Sequence, residues 1–130
     1  MAIPSGSGTE VLKNGAVKSN NVWTKIRWDT PITAVGNTST GTTAIPTNCI
    51  VTILNVSCTS THSTDLIFGM RVDIGSTDEI YIFNHSGTTI PAYNTFVYNE
   101  KIVLTPDNEL EFYNSQTGDI YFNYIYQDWT

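Results

Sequence analysis

The sequence predicts an all-β protein: a single antiparallel β-sandwich of seven to eight strands, jelly-roll-like, with an extended N-terminal arm. Three observations lead to this prediction. Apolar and polar residues alternate along most of the chain after Val22, turn-forming clusters recur about every ten residues, and no window combines helical periodicity with caps. The chain has 130 residues, which suffices for one core. We assign residues 1–21 to the arm and 22–130 to one sandwich domain.

Four strands are predicted in the first half. VWTKIRW (22–28) alternates between an apolar face and a face that carries two cations, as a half-buried strand does. The others are CIVTILNVSC (49–58), LIFGMRVDI (66–74) and EIYIFN (79–84). Polar segments rich in turn-forming residues separate the strands and predict loops or turns: GNTSTGTT (36–43), TSTHSTD (59–65), GSTDE (75–79) and NHSGTT (84–89).

The second half repeats the strand and turn pattern. Its predicted strands are TFVYNEKIVL (95–104), ELEFYN (109–114) and DIYFNYIYQDW (119–129). Both faces of the last strand carry large apolar or aromatic residues, so it is predicted to lie inside a sheet. The side chains expected to be largely buried are Ile53, Leu54, Phe68, Val72, Ile82, Phe96, Val103, Phe112 and Phe122.

Charge is distributed unevenly. The net charge is −6, yet residues 1–28 hold four cations against Glu10 alone, and the rest hold two cations against eleven carboxylates. An acidic body repels phosphate backbones, which argues against nucleic acid as a partner. A basic leader suits a protein partner or a neighbouring copy. No apolar stretch approaches the roughly eighteen residues of a membrane helix, so no membrane partner is expected.

Few residues in the chain carry catalytic or metal-binding potential. His62 and His85 lie in predicted polar turns, and the acidic turn at 73–79 lacks the ligand spacing of an EF-hand. Glu109 and Glu111 share a strand face, where a solvated edge is the favoured interpretation. Cys49 and Cys58 are expected to be free thiols, as in a reducing cytoplasm. We predict no enzyme activity, metal or cofactor.

The opening stretch PSGSGTE (4–10) is not predicted to bind phosphate. A phosphate loop needs a strand before it, a helix after it and usually a lysine following its last glycine. Only Met1, Ala2 and Ile3 precede the stretch, and Glu10 would repel phosphate. The start also lacks a basic region followed by an apolar core, so an export signal is not expected. An arm that becomes ordered on a partner is the remaining interpretation.

Several segments together resemble small tailed-phage capsid decoration, or cement, proteins. They are the PSGSGTEVLK start, IPTNCIVTILNVSCTSTHS after Ala44, FVYNEKIVLTPDNELEFYNS from Phe96, and the closing YQDW. The resemblance implies a virion protein made in the host cytoplasm that stabilises the shell from its outer surface. It implies the major capsid protein and neighbouring copies as partners, with a homotrimer as the expected assembly of the copies. The arm residues that would dock on the capsid are Ile3, Pro4, Glu10, Val11, Leu12 and Lys13.

An alternative function is a receptor-binding or carbohydrate-binding β-module on a head or tail fibre. Trp23, Tyr93 and Trp129 could stack on sugar rings if they were exposed together. A shallow aromatic groove would favour this alternative, whereas an apolar side patch with an ordered arm would favour docking on a capsid lattice.

Overall fold

This computed structural model describes residues 8–19, 21–28, 43–75 and 78–129 of the chain. These residues contain nine β-strands. These residues contain no helix, and so none long and apolar enough to cross a membrane. The strands are β1 (Thr9–Ser19), β2 (Thr24–Lys25), β3 (Cys49–Ser60), β4 (Leu66–Ile74), β5 (Asp78–Ile90), β6 (Thr95–Tyr98), β7 (Ile102–Leu104), β8 (Asn108–Asn114) and β9 (Gly118–Asp128).

The strands form two antiparallel sheets. In the five-stranded sheet β1 pairs with β9, β9 with β3, and β3 with both β6 and β7. The four-stranded sheet has the order β2, β8, β4, β5. The prediction of an all-β protein is therefore confirmed. β3 and β9 lie in the interior of their sheet, as their dense β-branched and aromatic sequences predict.

One core lies between the inner faces of the sheets, so the arrangement is sandwich-like. The ring centroids of Phe112 on β8 and Phe122 on β9 are 5.5 Å apart across the two sheets. Buried side chains alternate with half-buried ones along β3, as the period of a strand requires. The largest fully buried side chains are Phe68, Phe112, Phe122, Ile26, Ile45, Ile53, Leu66, Met70, Ile90, Leu104, Leu110 and Ile120.

Most of the predicted core residues are buried, and the exceptions have local causes. Ile82 and Phe96 pack against the core and remain partly accessible. Val103 is 58% exposed because its neighbours Ile102 and Leu104 supply the inward side chains of β7, so its prediction was wrong. Leu54 is only half-buried, since a bulge after Ile53 shifts the alternation of β3 at this point.

The predicted boundary at residue 21 differs from the structure, because residues 9–19 form β1. This strand pairs with β9 over eleven consecutive residues with no shift of register. Gly15 makes the pairing possible: the Phe122 ring lies where a Cβ atom at Gly15 would project. Val17 is 1% exposed and belongs to the core. Residues 1–7 of the predicted arm, including Ile3 and Pro4, lie outside the described residues.

Two other segments differ from the predicted elements. The predicted turn at 84–89 lies within β5, where extra residues bulge between the pairs Phe68–Thr88 and Met70–Phe83. The Asn84 side chain accepts a hydrogen bond from the backbone N–H of Ser86 at 3.0 Å, which stabilises the bulge. The predicted strand 95–104 is interrupted by residues 99–101 and forms β6 and β7. Of the predicted loop 36–43, only Thr43 is described.

Candidate functional site

An ion-pair network covers the outer face of the four-stranded sheet. Arg71 on β4 donates hydrogen bonds from Nε to Glu111 Oε2 at 2.7 Å and from a terminal nitrogen to Glu79 Oε2 at 2.8 Å. The Lys25 ammonium lies 3.2 Å from Glu109 Oε1 and 3.5 Å from Asp73 Oδ2. Cross-strand register places these side chains together, since Arg71 is opposite Glu111 and Asp73 is opposite Glu109.

The expectation that Glu109 and Glu111 form a solvated edge is wrong. β8 is an interior strand of its sheet, and Glu111 is only 3% exposed. Burial raises the pKa of Glu111, although its hydrogen bond to Arg71 opposes that shift. Burial lowers the pKa of Lys25, but the hydrogen bond to Glu109 and the surrounding carboxylates outweigh it and leave that pKa raised. The face therefore holds two cations against four carboxylates, so each cation is paired while an excess of two negative charges remains.

Three carboxylates of this network lie close enough together to suggest a cation site. Oxygens of Asp73, Glu79 and Glu111 all lie within 4.8 Å of one another. The Arg71 guanidinium already bonds to two of these groups, so the cluster has a cation supplied by its own sheet. Arg71 therefore compensates part of the carboxylate charge that would otherwise attract a metal ion.

Aromatic rings surround the arginine. The Arg71 guanidinium carbon lies 4.1 Å from the Trp23 ring centroid, within cation–π range. Trp23 also contacts Tyr113 at 5.4 Å and Tyr81 at 5.9 Å between centroids. Tyr81 is 41% exposed, so this aromatic patch reaches the surface. Sequence reasoning identified Trp23 but missed its partner Arg71, which comes from a segment nearly fifty residues away.

The structure does not bring the three predicted sugar-stacking aromatics into one groove. Tyr93 is 69% exposed in the β5–β6 connection, near the end of β3, where the Ser60 N–H bonds to the Asn94 carbonyl. Trp129 lies near the start of β3, because its N–H bonds to the Asn48 carbonyl. β3 has twelve residues, so its two ends are roughly 35 Å apart.

Among the described side chains, the histidine and the cysteines form no cluster of reactive groups. His62 Nδ1 lies 2.8 Å from Thr64 Oγ1 in a local turn, and the backbone of His85 belongs to β5. Cys49 and Cys58 are free and buried, as predicted. Burial raises the pKa of Cys58 to about 12, which makes its thiol a poor nucleophile at neutral pH.

The outer face of the five-stranded sheet is chemically different, and we call it the neutral face. Its outward side chains form rows that cross the strands from β1. In order along β1 the rows are Glu10–Gln127–Ile50, Leu12–Ile125–Thr52–Val103, Asn14–Asn123–Asn55, Ala16–Tyr121–Ser57–Val97 and Lys18–Asp119–Thr59–Thr95. The three middle rows contain no charged residue. Charge is confined to the first and last rows.

Several large apolar side chains on the neutral face are open to solvent. Leu12 is 70% exposed, Val103 58%, Val97 54% and Tyr121 45%. Polar groups between them bond to one another: Asn123 Nδ2 donates to Asn55 Oδ1 at 2.9 Å. Exposed apolar residues among satisfied polar groups are typical of protein–protein interfaces. The outward pattern Tyr121, Asn123, Ile125 is the sequence signal that could have predicted this face.

The described residues of the predicted docking arm lie on β1. Glu10 and Leu12 belong to the neutral face, and Glu10 accepts a hydrogen bond from Gln127 at 2.8 Å. Val11 and Lys13 project to the other side of the strand, where the Lys13 ammonium lies 4.7 Å from the Tyr126 ring centroid. These four residues are therefore held by the sheet edge.

Searches against protein-family models, curated proteins and solved structures find no match to this chain.

Proposed function

We propose that the protein is a virion structural protein, a decoration or cement protein that binds the outer surface of a phage head and stabilises the shell. The neutral face is the observation that carries this proposal. On a protein with a net charge of −6, it offers an uncharged area with four apolar side chains at least 45% exposed. Burying such an uncharged area against the major capsid protein costs little desolvation free energy.

The strand order supports the jelly-roll part of the proposal. β6 and β7 both pair with β3, at its two ends, so they count as one interrupted strand. Eight strand positions then form two sheets of four, in the orders β1, β9, β3, β6/β7 and β2, β8, β4, β5. Two four-stranded sheets with the first strand beside the last are typical of jelly rolls, which occur in viral capsid proteins and in lectins.

Stabilisation of the shell would follow from mass action. A copy that contacts two neighbouring capsid subunits binds only the assembled shell, so its binding free energy is added to that of assembly. Many weak contacts of this kind are enough to stabilise the shell, and such contacts need no catalytic groups on the binding face. Assembly in the host cytoplasm is compatible with the free, buried thiols of Cys49 and Cys58.

A charge placed in the neutral face tests the proposal. We expect Val103→Glu to weaken binding to particles that lack the protein by at least about tenfold, since an unpaired carboxylate would be buried at the interface. Tyr93→Glu is the matched control, because Tyr93 is similarly exposed but lies outside that face. Co-sedimentation with purified particles measures the binding. Equal binding by both variants and the wild type would remove the neutral face from the mechanism.

The same assay tests the arm. Deleting residues 1–7 retains every described strand, so we expect the protein to fold and to bind particles more weakly. Deleting residues 1–12 also removes four β1 residues paired with residues 125–128 and should lower the melting temperature. Unchanged binding after the shorter deletion would exclude residues 1–7 from docking.

The aromatic patch favours a second candidate, a receptor-binding or carbohydrate-binding module on a fibre. Trp23, Tyr81 and Arg71 combine aromatic surface with a hydrogen-bonding guanidinium, which sugar sites use. Against this function, Arg71 is engaged by Glu79 and Glu111. The number of copies per virion distinguishes the two candidates, because a shell protein occupies hundreds of positions and a fibre protein few.

A further inference from the structure

β1 is an edge strand of unusual length and regularity. It pairs with β9 on one side, and within residues 8–19, 21–28, 43–75 and 78–129 no strand pairs with its other side. All eleven of its residues are in register with β9, without a bulge. Long, regular edges present unpaired backbone groups and readily accept another strand. The sequence of β1 indicates which strand this edge would accept.

We propose that β1 pairs with β1 of a second copy, antiparallel and centred on Asn14, so that two copies share one continuous sheet across a two-fold axis. In this register Asn14 is opposite Asn14, and Thr9 is opposite Ser19, so the whole strand is used. The two residues of every opposed pair are an even number of positions apart in the sequence. Alternate residues of a strand direct their backbone N–H and C=O groups to the same side. The backbone groups that point away from β9 on one copy therefore meet the corresponding groups on the other.

The side chains of β1 are complementary in this register. Glu10 is opposite Lys18 at both ends of the shared pair, and Val11 is opposite Val17. Leu12 is opposite Ala16, so apolar residues also meet, and opposite charges or apolar side chains across strands are favourable. Lys13 is opposite Gly15, which places no charge against a like charge.

Neighbouring registers lose these pairings. Centring the pair on Lys13 would place two lysines directly opposite each other, and like charges at that position are destabilising. Centring it on Gly15 would place Lys18 opposite Leu12 and leave Glu10 opposite a residue beyond the end of β1. Only the register centred on Asn14 combines full overlap with two ion pairs.

The rows of the neutral face also continue across this junction. The asparagine row joins itself, which gives six asparagines in line across the two copies. The row of Leu12 meets the row of Ala16, so apolar side chains stay adjacent. The first row of one copy, with Gln127 and Glu10, meets the last row of the second copy, with Lys18 and Asp119. The observed Lys18–Asp119 pair at 2.5 Å thereby becomes part of a chain of alternating charges.

The pairing would double the neutral face. The neutral face of one copy is four strands wide and about eleven residues long, so its area in the plane of the sheet is roughly 600 Å². That area is below the roughly 800 Å² per partner of a standard interface. Two joined copies offer about 1,200 Å² on one side. This inference does not depend on the proposed virion function, because the occupant of the edge is the chain itself.

Cross-linking of Asn14→Cys tests the register. Directly opposed Cα atoms lie about 4.5 to 5.5 Å apart, within the range that a disulfide spans. Mild oxidation should convert this variant to a covalent dimer, whereas Val97→Cys, also exposed but on β6 rather than at the β1 edge, should stay largely monomeric. The native thiols are buried and should not interfere. No more dimer from Asn14→Cys than from Val97→Cys, with both variants melting as the wild type does, would overturn the proposal.

Light scattering of the wild-type chain should give twice its mass of 14.4 kDa. Glu10→Lys should raise the dimer dissociation constant at least about tenfold, because it places two lysines opposite each other at each end of the paired strands. Adding Lys18→Glu should restore only part of the binding, because the new carboxylate opposes the introduced lysine but also faces Asp119 of its own sheet, and the control Lys101→Glu should leave it unchanged. A monomer at all concentrations, or a trimer, would contradict the two-fold pairing.

Discussion

Replacing Arg71 with methionine is expected to lower the free energy of unfolding by about 3 to 5 kcal/mol. The substitution keeps much of the side-chain volume but leaves the Glu111 carboxylate, 3% exposed, without its 2.7 Å hydrogen bond to Nε. It also removes the cation from the Trp23 ring. Lys101→Met is the control: Lys101 is exposed between β6 and β7, outside the charge network, so replacing it should change stability by only about 0.5 kcal/mol.

The cost of Arg71→Met should depend on pH. Burial already raises the pKa of Glu111 above 4.5 in the folded protein, so the folded state holds this proton more tightly than the unfolded chain. Stability contributed by that proton is present below pH 4.5 and is lost as the pH rises through the raised pKa. Without Arg71 the pKa should rise further, so the deficit relative to wild type should be smaller near pH 4 than at pH 7.

Urea unfolding at both pH values measures these differences. Adding Glu111→Gln to Arg71→Met should recover part of the loss at pH 7, because it removes the unpaired charge. A loss under about 1 kcal/mol at both pH values would show that the network is solvated. That result would return Glu111 to the solvated edge that the sequence predicted.

Replacing Phe122 with alanine is expected to cost about 3 to 5 kcal/mol, a large part of the total stability of a small domain. Phe122 is fully buried on β9, where it contacts Phe112 of the other sheet and Tyr124 of its own strand. Its ring also covers Gly15, so the cavity would lie under β1 as well as between the sheets.

The neighbouring residue supplies the control for Phe122→Ala. Tyr121 lies on the outer side of the same strand and is 45% exposed, so Tyr121→Ala should cost about 1 kcal/mol or less. Urea unfolding of the two variants compares the two faces of β9 directly. A larger loss for Tyr121→Ala than for Phe122→Ala would mean that the faces of β9 are assigned the wrong way round.

Local sequence pattern predicted the strands that carry their own signal. The β-branched run of β3 and the aromatic run of β9 mark interior strands, and the free cysteines within β3 follow from their spacing. β1 was missed because TEVLKNGAVKS has few apolar residues, and its burial depends on Gly15 and Val17 meeting a strand more than a hundred residues away. Such pairing leaves little trace in local composition.

The charge network and the neutral face were missed for the same physical reason. Arg71 and Glu111 are forty residues apart, and only the register of β4 with β8 places them opposite each other. Val103 was assigned to the core because it lies in an apolar run, where the alternation of a three-residue strand is difficult to phase. The exposed row that contains it becomes visible only when β7 is aligned with β3.

The copy number and position of the protein on whole particles test the virion proposal most directly. Under this proposal, cryo-electron microscopy of the phage particles, with copy number from quantified protein bands, supplies both. We predict hundreds of copies on the outer surface of the head, with the neutral face toward the major capsid protein. A few copies confined to the tail or to a single vertex would contradict the cement function and favour the fibre module.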